Sequence, residues 1–280
     1  MPKRDASISP SSAPSPAPGS GRSEGAARPV ETQAEVFLSV VIPAFNEAQR
    51  IPATLRQVTD YLESLGRSFE VVVVDDGSTD NTSSVVESIG RETPGVRLVR
   101  NSINSGKGAA VRGGMMKARG EYLLFTDADL SAPIGEAERL LRELDRGYDA
   151  VIGSRALNRD WIGVHQSSFR ETAGKLFNFV MRLLTGLDFT DTQCGFKAFR
   201  GSVARSIFAV QRIDGFGFDV EILYLARKFG YRSLEVPVHW DHSAATKVHP
   251  LRDGLRMVLD LFRIRWNDWR GKYEGIGNRE

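Results

Sequence analysis

Asp127-Ala128-Asp129 ends an apolar run, Glu121 to Thr126, and is the sharpest chemical signal in the chain. In an extended segment, residues i and i+2 point to the same side. Two carboxylates placed that way repel unless a cation lies between them. Mg²⁺ or Mn²⁺ is the natural candidate, because a hard ion takes carboxylate oxygens and keeps positions open for phosphate. Alone, so short a string reads as a pair of turn acids before Pro133. Its company changes that reading. Pro43-Ala44-Phe45-Asn46-Glu47, Asp75-Asp76-Gly77-Ser78-Thr79-Asp80 and Gly153-Ser154-Arg155 each follow another apolar run. One acid at one strand end is commonly a helix cap, and Asp76 or Ser78 has that alternative. Acids at three ends point to a shared rim.

The elements that must build this rim alternate. Val36 to Ile42, Phe69 to Val74, Val96 to Val99, Glu121 to Thr126 and Ala150 to Ile152 read as strands. Helical spacing falls between them, over residues 51 to 65, 79 to 89, 109 to 118 and 136 to 144. The strands are continuous apolar runs, which predicts a mostly parallel sheet covered on both faces by helices. In such α/β sheets ligands bind outside the carboxyl ends of the strands. That is where the polar residues fall.

Gly106-Lys107-Gly108-Ala109-Ala110-Val111-Arg112-Gly113-Gly114 invites a nucleoside-triphosphate reading, and the reading fails. A phosphate loop needs Ser or Thr after Gly-Lys, and Gly108 stands there. A dinucleotide fingerprint follows the first strand, whereas this stretch follows the third. The glycines are expected to shape a tight entry into a helix packed close on the sheet, with Lys107 facing a phosphate.

Bulk properties narrow the class. In 280 residues, 41% hydrophobic content suffices for a sizeable core. A formal net charge of +2 gives no support to nucleic-acid binding. The single cysteine, Cys194, rules out an intramolecular disulfide and suits a reducing compartment. No run of 18 apolar residues predicts a membrane span, and the N-terminus lacks the apolar core of a signal peptide. A cytoplasmic protein, soluble or peripheral on the membrane, is expected. Residues 1 to 35, rich in Ser, Pro, Ala, Gly and Arg, read as a disordered tail. Residues 36–245 read as the α/β domain and 246–280 as a C-terminal amphipathic basic helix and tail.

The motifs as a set resemble the family 2, GT-A-fold inverting glycosyltransferases. Val41 to Glu47, Val73 to Thr82, Asn104 to Gly108 and Asp127-Ala128-Asp129 carry the resemblance. Asp191-Thr192-Gln193-Cys194-Gly195-Phe196-Lys197, Phe218 to Glu221, Val236 to Trp240 and Ser243 to Lys247 look like the polyprenyl-phosphate sugar transferases, above all the dolichyl-phosphate β-glucosyltransferase branch. The related mannosyl-transferring enzymes resemble an Asp-Arg pair where Asp241-His242 stands here, a departure compatible with the glucosyl branch. The eukaryotic glucosyl members also resemble membrane-anchored proteins.

The resemblance implies transfer of a sugar, with UDP-glucose the expected donor and a polyprenyl phosphate the expected acceptor. It implies that Pro43, Phe45 and Glu47 line the nucleotide pocket and that Val74 and Asp76 contact the base. Asp127, Ala128 and Asp129 would sit at the metal and diphosphate, and Gln193, Arg155 and Lys247 would meet sugar or phosphates. Asp191 is the best-placed acid by resemblance. A phosphate acceptor is already anionic, since its second pKa is roughly 6, and needs orientation more than a base. Arg155, Arg170 and Lys247 are the cations expected there. A hydroxyl acceptor would need a general base, with Asp191, Asp219 and Glu221 the candidates; the last two read equally as structural acids near a helix start. The histidines, His165, His239, His242 and His249, show no metal spacing.

A lipid-linked acceptor demands access to a bilayer. In 171 to 187, Ala173, Leu176, Phe177, Val180, Leu183, Leu184 and Leu187 form an apolar face, with Lys175, Asn178 and Arg182 as a polar stripe. In 251 to 269, Leu251, Leu255, Val258, Leu259, Phe262, Trp266 and Trp269 share one face, with arginines around it. Basic residues and Trp on an amphipathic helix suit an interfacial helix. Burial in the core or in an oligomer is the competing reading.

Overall fold

The long apolar runs have a simple cause. In the second strand, Val71 and Val73 belong to one hydrophobic core, while Val72 and Val74 belong to another on the opposite face. Both faces are covered, so the central stretch Val71 to Val74 is apolar throughout. The computed structural model describes residues 36–157, 168–241 and 250–274, with side chains from 177 onward in the helix that begins at Ser168 and from 254 onward in the helix that begins at Pro250.

The order is β1 (Leu38–Ala44), α1 (Ile51–Ser64), β2 (Phe69–Asp76), α2 (Thr82–Glu92), β3 (Val96–Asn101), α3 (Lys107–Lys117) and β4 (Tyr122–Thr126). A 3₁₀ turn (Ile134–Glu136), α4 (Ala137–Asp145), β5 (Ala150–Ser154) and α5 (Ser168–Thr185) follow. Then come β6 (Phe196–Arg200), α6 (Gly201–Val210), α7 (Phe218–Lys228), β7 (Ser233–Pro237) and α8 (Pro250–Trp269). The sheet runs β3-β2-β1-β4-β6-β5-β7. The pairs β1–β2, β2–β3, β1–β4 and β5–β7 are parallel, and only β6 runs against its neighbours β4 and β5. The α/β expectation therefore holds. The chain steps outward from β1 to β3 and then returns to β1's other side as β4. That reversal creates a crevice at the carboxyl ends of β1 and β4, where α/β sheets take ligands.

Element boundaries shift for local reasons. The helix expected from Thr79 begins at Thr82, because Asp80 Oδ1 accepts the Thr82 N–H at 3.0 Å and holds the preceding residues as a loop. β2 extends through Asp75 and Asp76. α3 begins two residues early, at Lys107. Its glycines serve the close packing expected of them. A Cβ on Gly114 would lie 2.4 Å from Val41 Cγ1 and 2.8 Å from Val74 Cγ2.

The two amphipathic helices divide differently from expectation. In α5, Met181 is wholly buried, and Phe177, Val180 and Leu184 pack beside it at i, i+3, i+4 and i+7 spacing. Leu183, expected on that face, is 74% exposed, together with Phe179. Leu187 is buried but lies beyond the helix end. In α8 the core is met by Leu261 and Ile264, while Leu255, Leu259, Phe262, Trp266 and Trp269 are all exposed. The described part of the expected stripe on α8 thus exists and does not enter the core, with Val258 half-buried; the side chain of Leu251 lies outside the described residues.

Gly114→Ala should destabilise the protein by about 1–3 kcal/mol through overpacking of Val41 and Val74, despite alanine's better helix propensity. Gly113→Ala adds its methyl to open space and should stabilise by about 0.5–1 kcal/mol. Urea denaturation of the two variants checks the pair; equal midpoints would refute the close approach.

Candidate active site

The loops after β1 and β2 are tied to each other before any ligand arrives. Asn46 sits in the left-handed region at φ 55°, and its Oδ1 accepts the N–H of Thr79 at 2.8 Å. The N–H groups of Asn46 and Glu47 donate to Ser78 Oγ at 2.9 Å and Thr82 Oγ1 at 2.8 Å. Buried Asp75 accepts the Ser78 N–H at 2.8 Å and the Ser83 hydroxyl. The result is a fixed rim on which Pro43, Phe45 and Glu47 stand partly exposed. Glu47 also pairs with Arg50 at 3.0 Å.

Asp76 turns to the third strand. Its carboxylate accepts from Asn101 Nδ2 at 2.9 Å, the Ser105 N–H at 3.0 Å and the Gly106 N–H at 2.7 Å. It thereby holds the loop that delivers Lys107. The other side of that helix start is closed by Asp214, whose carbonyl accepts the N–H of Gly108 at 2.7 Å. Val74 is placed differently from expectation: its side chain is wholly buried beneath α3 and lines no open surface.

Lys107 then reaches the carboxylate pair. Its Nζ lies 2.6 Å from Asp127 Oδ1, with both side chains partly exposed. Burial pulls the ammonium's pKa down, but the Asp127, Asp219 and Asp129 carboxylates outweigh it, and Lys107 is held above its ordinary value. Asp129 Oδ1 accepts the Ser131 N–H at 3.0 Å, and the Ala128 carbonyl takes the Thr54 hydroxyl at 2.6 Å. Leu130, at φ 47°, completes the turn. Gly195 abuts this pair: a Cβ there would fall 2.1 Å from Asp127 Oδ2. Sequence reasoning gave Gly195 no role. Among the described residues, no three His, Cys, Asp or Glu side chains converge as a cation cage. Mg²⁺-type ions bound beside a phosphate-bearing substrate take only one or two carboxylates, so Asp127 and Asp129 would leave the rest of such a shell to diphosphate oxygens.

A second charge pair lies just beyond the end of β5. Arg155 grips Asp191 with Nε–Oδ2 at 2.6 Å and Nη2–Oδ1 at 2.7 Å, and its own N–H adds a third bond at 3.0 Å. Burial alone would raise the Asp191 pKa; the Arg155 charge and hydrogen bonds reverse this and hold it below the usual range. Glu235 accepts the N–H groups of Thr190 and Asp191 at 2.8 and 2.7 Å. The Arg155 guanidinium also lies 4.9 Å from the Trp240 ring centroid. So engaged, Asp191 is an orienting anion for Arg155 rather than a free base. Beside them, Gln193 Nε2 and Thr192 Oγ1 are buried without a hydrogen-bond partner, the kind of unsatisfied group that a ligand oxygen completes.

The remaining acids have structural partners. Asp219 forms a buried ion pair with Lys197, whose Nζ also donates to the Cys194 carbonyl at 2.6 Å. Glu221 takes the N–H of Ile213 at 2.7 Å and the Tyr273 hydroxyl at 2.6 Å. Both lie in the first turn of α7, where acids suit the helix dipole. Burial pushes the Cys194 thiol up to about 12, so it is no nucleophile. His239 pairs with Glu136 at 2.6 Å. Lys247, His165, His242 and His249 lie outside the described residues, as does the side chain of Arg170.

Asp191→Asn should destabilise by about 1.5–3 kcal/mol, because a partly buried Arg155 loses its charged hydrogen-bond partner. The pH sign follows from the depressed carboxyl. Its contribution is full above the ordinary value of 3.8 and is lost as pH falls through the folded value. Denaturant melts from neutral pH down to about 2 should therefore show a steeper acid limb for the wild type than for Asp191→Asn. Parallel limbs would mean that the pair contributes nothing.

With this geometry established, similarity to known proteins becomes informative. The family model "Glycosyl transferase family 2" matches residues 39–208. The chain is 39% identical over 249 residues to a dolichyl-phosphate β-glucosyltransferase of Drosophila melanogaster, covering 84% of this chain and 76% of that one. It is 35% identical over 244 residues to the Homo sapiens protein of the same name, covering 81% and 74%. Among solved structures, glucosyl-3-phosphoglycerate synthase from Mycobacterium tuberculosis with phosphoglyceric acid aligns at a TM-score of 0.62 and 19% identity, over 83% of this chain and 81% of that one. The same enzyme with Mn²⁺, UDP and phosphoglyceric acid aligns at 0.58 and 18%, over 86% and 80%. These structures share the GT-A fold. The chain belongs to glycosyltransferase family 2 and, within it, is similar to the dolichyl-phosphate β-glucosyltransferases.

Proposed function

We propose that this glycosyltransferase transfers glucose from UDP-glucose to a polyprenyl phosphate of the dolichyl type, with inversion at the anomeric carbon. The observation that carries the reading is the Asp127/Asp129 pair at the crevice between β1 and β4, with Lys107 and Gly195 against it. The similarity to dolichyl-phosphate β-glucosyltransferases supports the substrate class.

Pro43, Phe45 and Glu47 line the nucleotide side of the crevice, and Asp76 acts from behind by fixing the loop that presents Lys107. Asp127 and Asp129 are the residues that would hold Mg²⁺ or Mn²⁺ beside the diphosphate. A bound divalent ion stabilises the charge that develops on the departing diphosphate. Lys107 adds a second positive charge beside the same group. Gln193 offers its unsatisfied amide to the sugar or a phosphate oxygen. Arg155, oriented by Asp191, faces the acceptor phosphate with a planar fork suited to its oxygens, and Lys247 adds a point charge. An acceptor oxygen attacks the anomeric carbon opposite the diphosphate. The new carbon–oxygen bond forms as the bond to the diphosphate breaks, and the pair of electrons leaves with the nucleotide. No proton must be removed, because the acceptor is anionic above its second pKa of roughly 6.

The acceptor's lipid needs a surface, and the exposed stripe on α8 supplies one. Leu255, Leu259, Phe262, Trp266 and Trp269 lie on one face, flanked by exposed Arg256, Arg263 and Arg270. Apolar residues, Trp and arginine in that arrangement suit the interfacial zone of an anionic bilayer. No described helix is long and apolar enough to cross a membrane. We place the protein peripherally on the cytoplasmic face, where a reducing environment suits its unpaired cysteine.

Incubation with labelled UDP-glucose, Mn²⁺ and polyprenyl phosphate should yield a product that enters organic solvent and releases glucose in mild acid. Asp129→Ala and EDTA should each abolish it, with Asp129→Ala still folded by circular dichroism. A water-soluble, acid-resistant product would overturn the lipid acceptor, and full activity in EDTA would overturn the metal. In sedimentation with anionic vesicles, the Trp266→Ser/Trp269→Ser double variant should lose binding by roughly tenfold or more. Unchanged vesicle binding, or a shift in oligomeric state instead, would assign the stripe elsewhere.

A further inference from the structure

The carboxylate pair already holds a cation, and it belongs to the chain. Lys107 Nζ lies 2.6 Å from Asp127 Oδ1, at hydrogen-bond contact with a carboxylate assigned to the divalent ion. Three features show that this is a built arrangement rather than a wandering surface side chain. Lys107 is the first residue of α3, and the loop before it is fixed by three hydrogen bonds from Asn101, Ser105 and Gly106 to Asp76. The first amides of the helix are closed by the Asp214 carbonyl, against which neither Gly106 nor Gly108 has room for a Cβ. Asp127 is confined from its other side by Gly195.

We infer that Lys107 is an internal counter-cation that competes with the divalent ion for Asp127, so that metal binds tightly only once a diphosphate has drawn the lysine away. This rests on the metal reading above. Without nucleotide, the ammonium satisfies the carboxylate, and an incoming divalent ion meets a like charge beside its ligand. A diphosphate changes both terms. It brings oxygens that complete the metal's shell, and it offers Lys107 new anionic partners within reach of its flexible stem. Donor and metal then load together, and the empty enzyme does not sequester metal. Lys107 is in this sense a positioning residue for the site as well as a phosphate contact.

The test titrates Mn²⁺ into the full chain and reads free Mn²⁺ by electron paramagnetic resonance, with and without UDP. Lys107→Gln should bind Mn²⁺ roughly tenfold or more tightly than wild type when UDP is absent, the scale on which one adjacent charge alters a carboxylate's affinity for a proton. With UDP present that advantage should vanish. Unchanged or weaker nucleotide-free binding by Lys107→Gln overturns the inference. Failure of wild type to bind Mn²⁺ even with UDP instead overturns the metal reading beneath it. A second measurement needs no variant. Reductive methylation of Lys107 in the wild type, followed by mass spectrometry, should rise when saturating Mn²⁺ displaces the amine from Asp127 and should fall when UDP is added. Labelling indifferent to Mn²⁺ would count against the competition even if Lys107→Gln did not fold.

Discussion

Acids crowd the carboxyl edge of this sheet, and a half-buried carboxylate without a partner is costly. The rest of the site is arranged around meeting that constraint. Asp127 has Lys107, Asp191 has Arg155, Asp219 has Lys197, and Asp75 and Asp76 have backbone and side-chain donors. Each partner arrives from a different element, so pairing the acids also fixes where α3, β5, β6 and α7 meet. Asp219 shows the cost most directly. Lys197 is wholly buried in β6, a position no strand pattern would reserve for lysine, and it is tolerated because Asp219 on α7 neutralises it. Desolvating both charges offsets much of the attraction in a buried pair of this kind, whereas removing either partner alone would be strongly destabilising.

The two charged partners nearest the crevice differ in how firmly they are held. Arg155 is bound to Asp191 through three hydrogen bonds, and Glu235 fixes the Asp191 backbone in turn. That arrangement is rigid and suits a group that must receive an anion in one orientation. Lys107 holds Asp127 through one point contact on a long stem. A rigid guanidinium on one side and an exchangeable ammonium on the other are what a crevice needs if one anion must be oriented and another must come and go.

Much of this was legible in the sequence. The strand ends were found because continuous valine runs stop at acids, as in Val71 to Asp76 and Leu123 to Asp127. The close helix entry was found because glycines cluster around Lys107. What escaped depended on partners distant in sequence. β6 was not read as a strand, since Phe196-Lys197-Ala198-Phe199-Arg200 carries a lysine whose burial rests on a residue 22 positions later. Gly195 had no local signal, because its reason is the Asp127 carboxylate in space. Asp76 was expected at a base, and its actual bonds go to a loop nearly thirty residues on. Leu183 and Met181 were exchanged on α5 because both are apolar, and periodicity cannot say which side a neighbouring helix will take.

The exposed helix and the crevice are also mechanically connected. α8 sends Asp260 inward, where it is buried and bonded by Arg263 at 2.9 Å. A Cβ on Gly217 would fall 2.5 Å from Asp260 Cβ, so the 214–217 turn lies directly against this helix. The same turn supplies the Asp214 carbonyl that closes the start of α3. From the stripe on α8 to Lys107 the path therefore runs through the Asp260 side chain, the glycine turn and the Asp214 carbonyl that accepts the Gly108 and Ala109 amides. Were the stripe to meet a bilayer as proposed, it would have to stand at a fixed height above the crevice. Packing the buried Asp260 side chain of α8 against Gly217, in the turn whose Asp214 carbonyl anchors α3, ties the exposed stripe to the helix that carries Lys107.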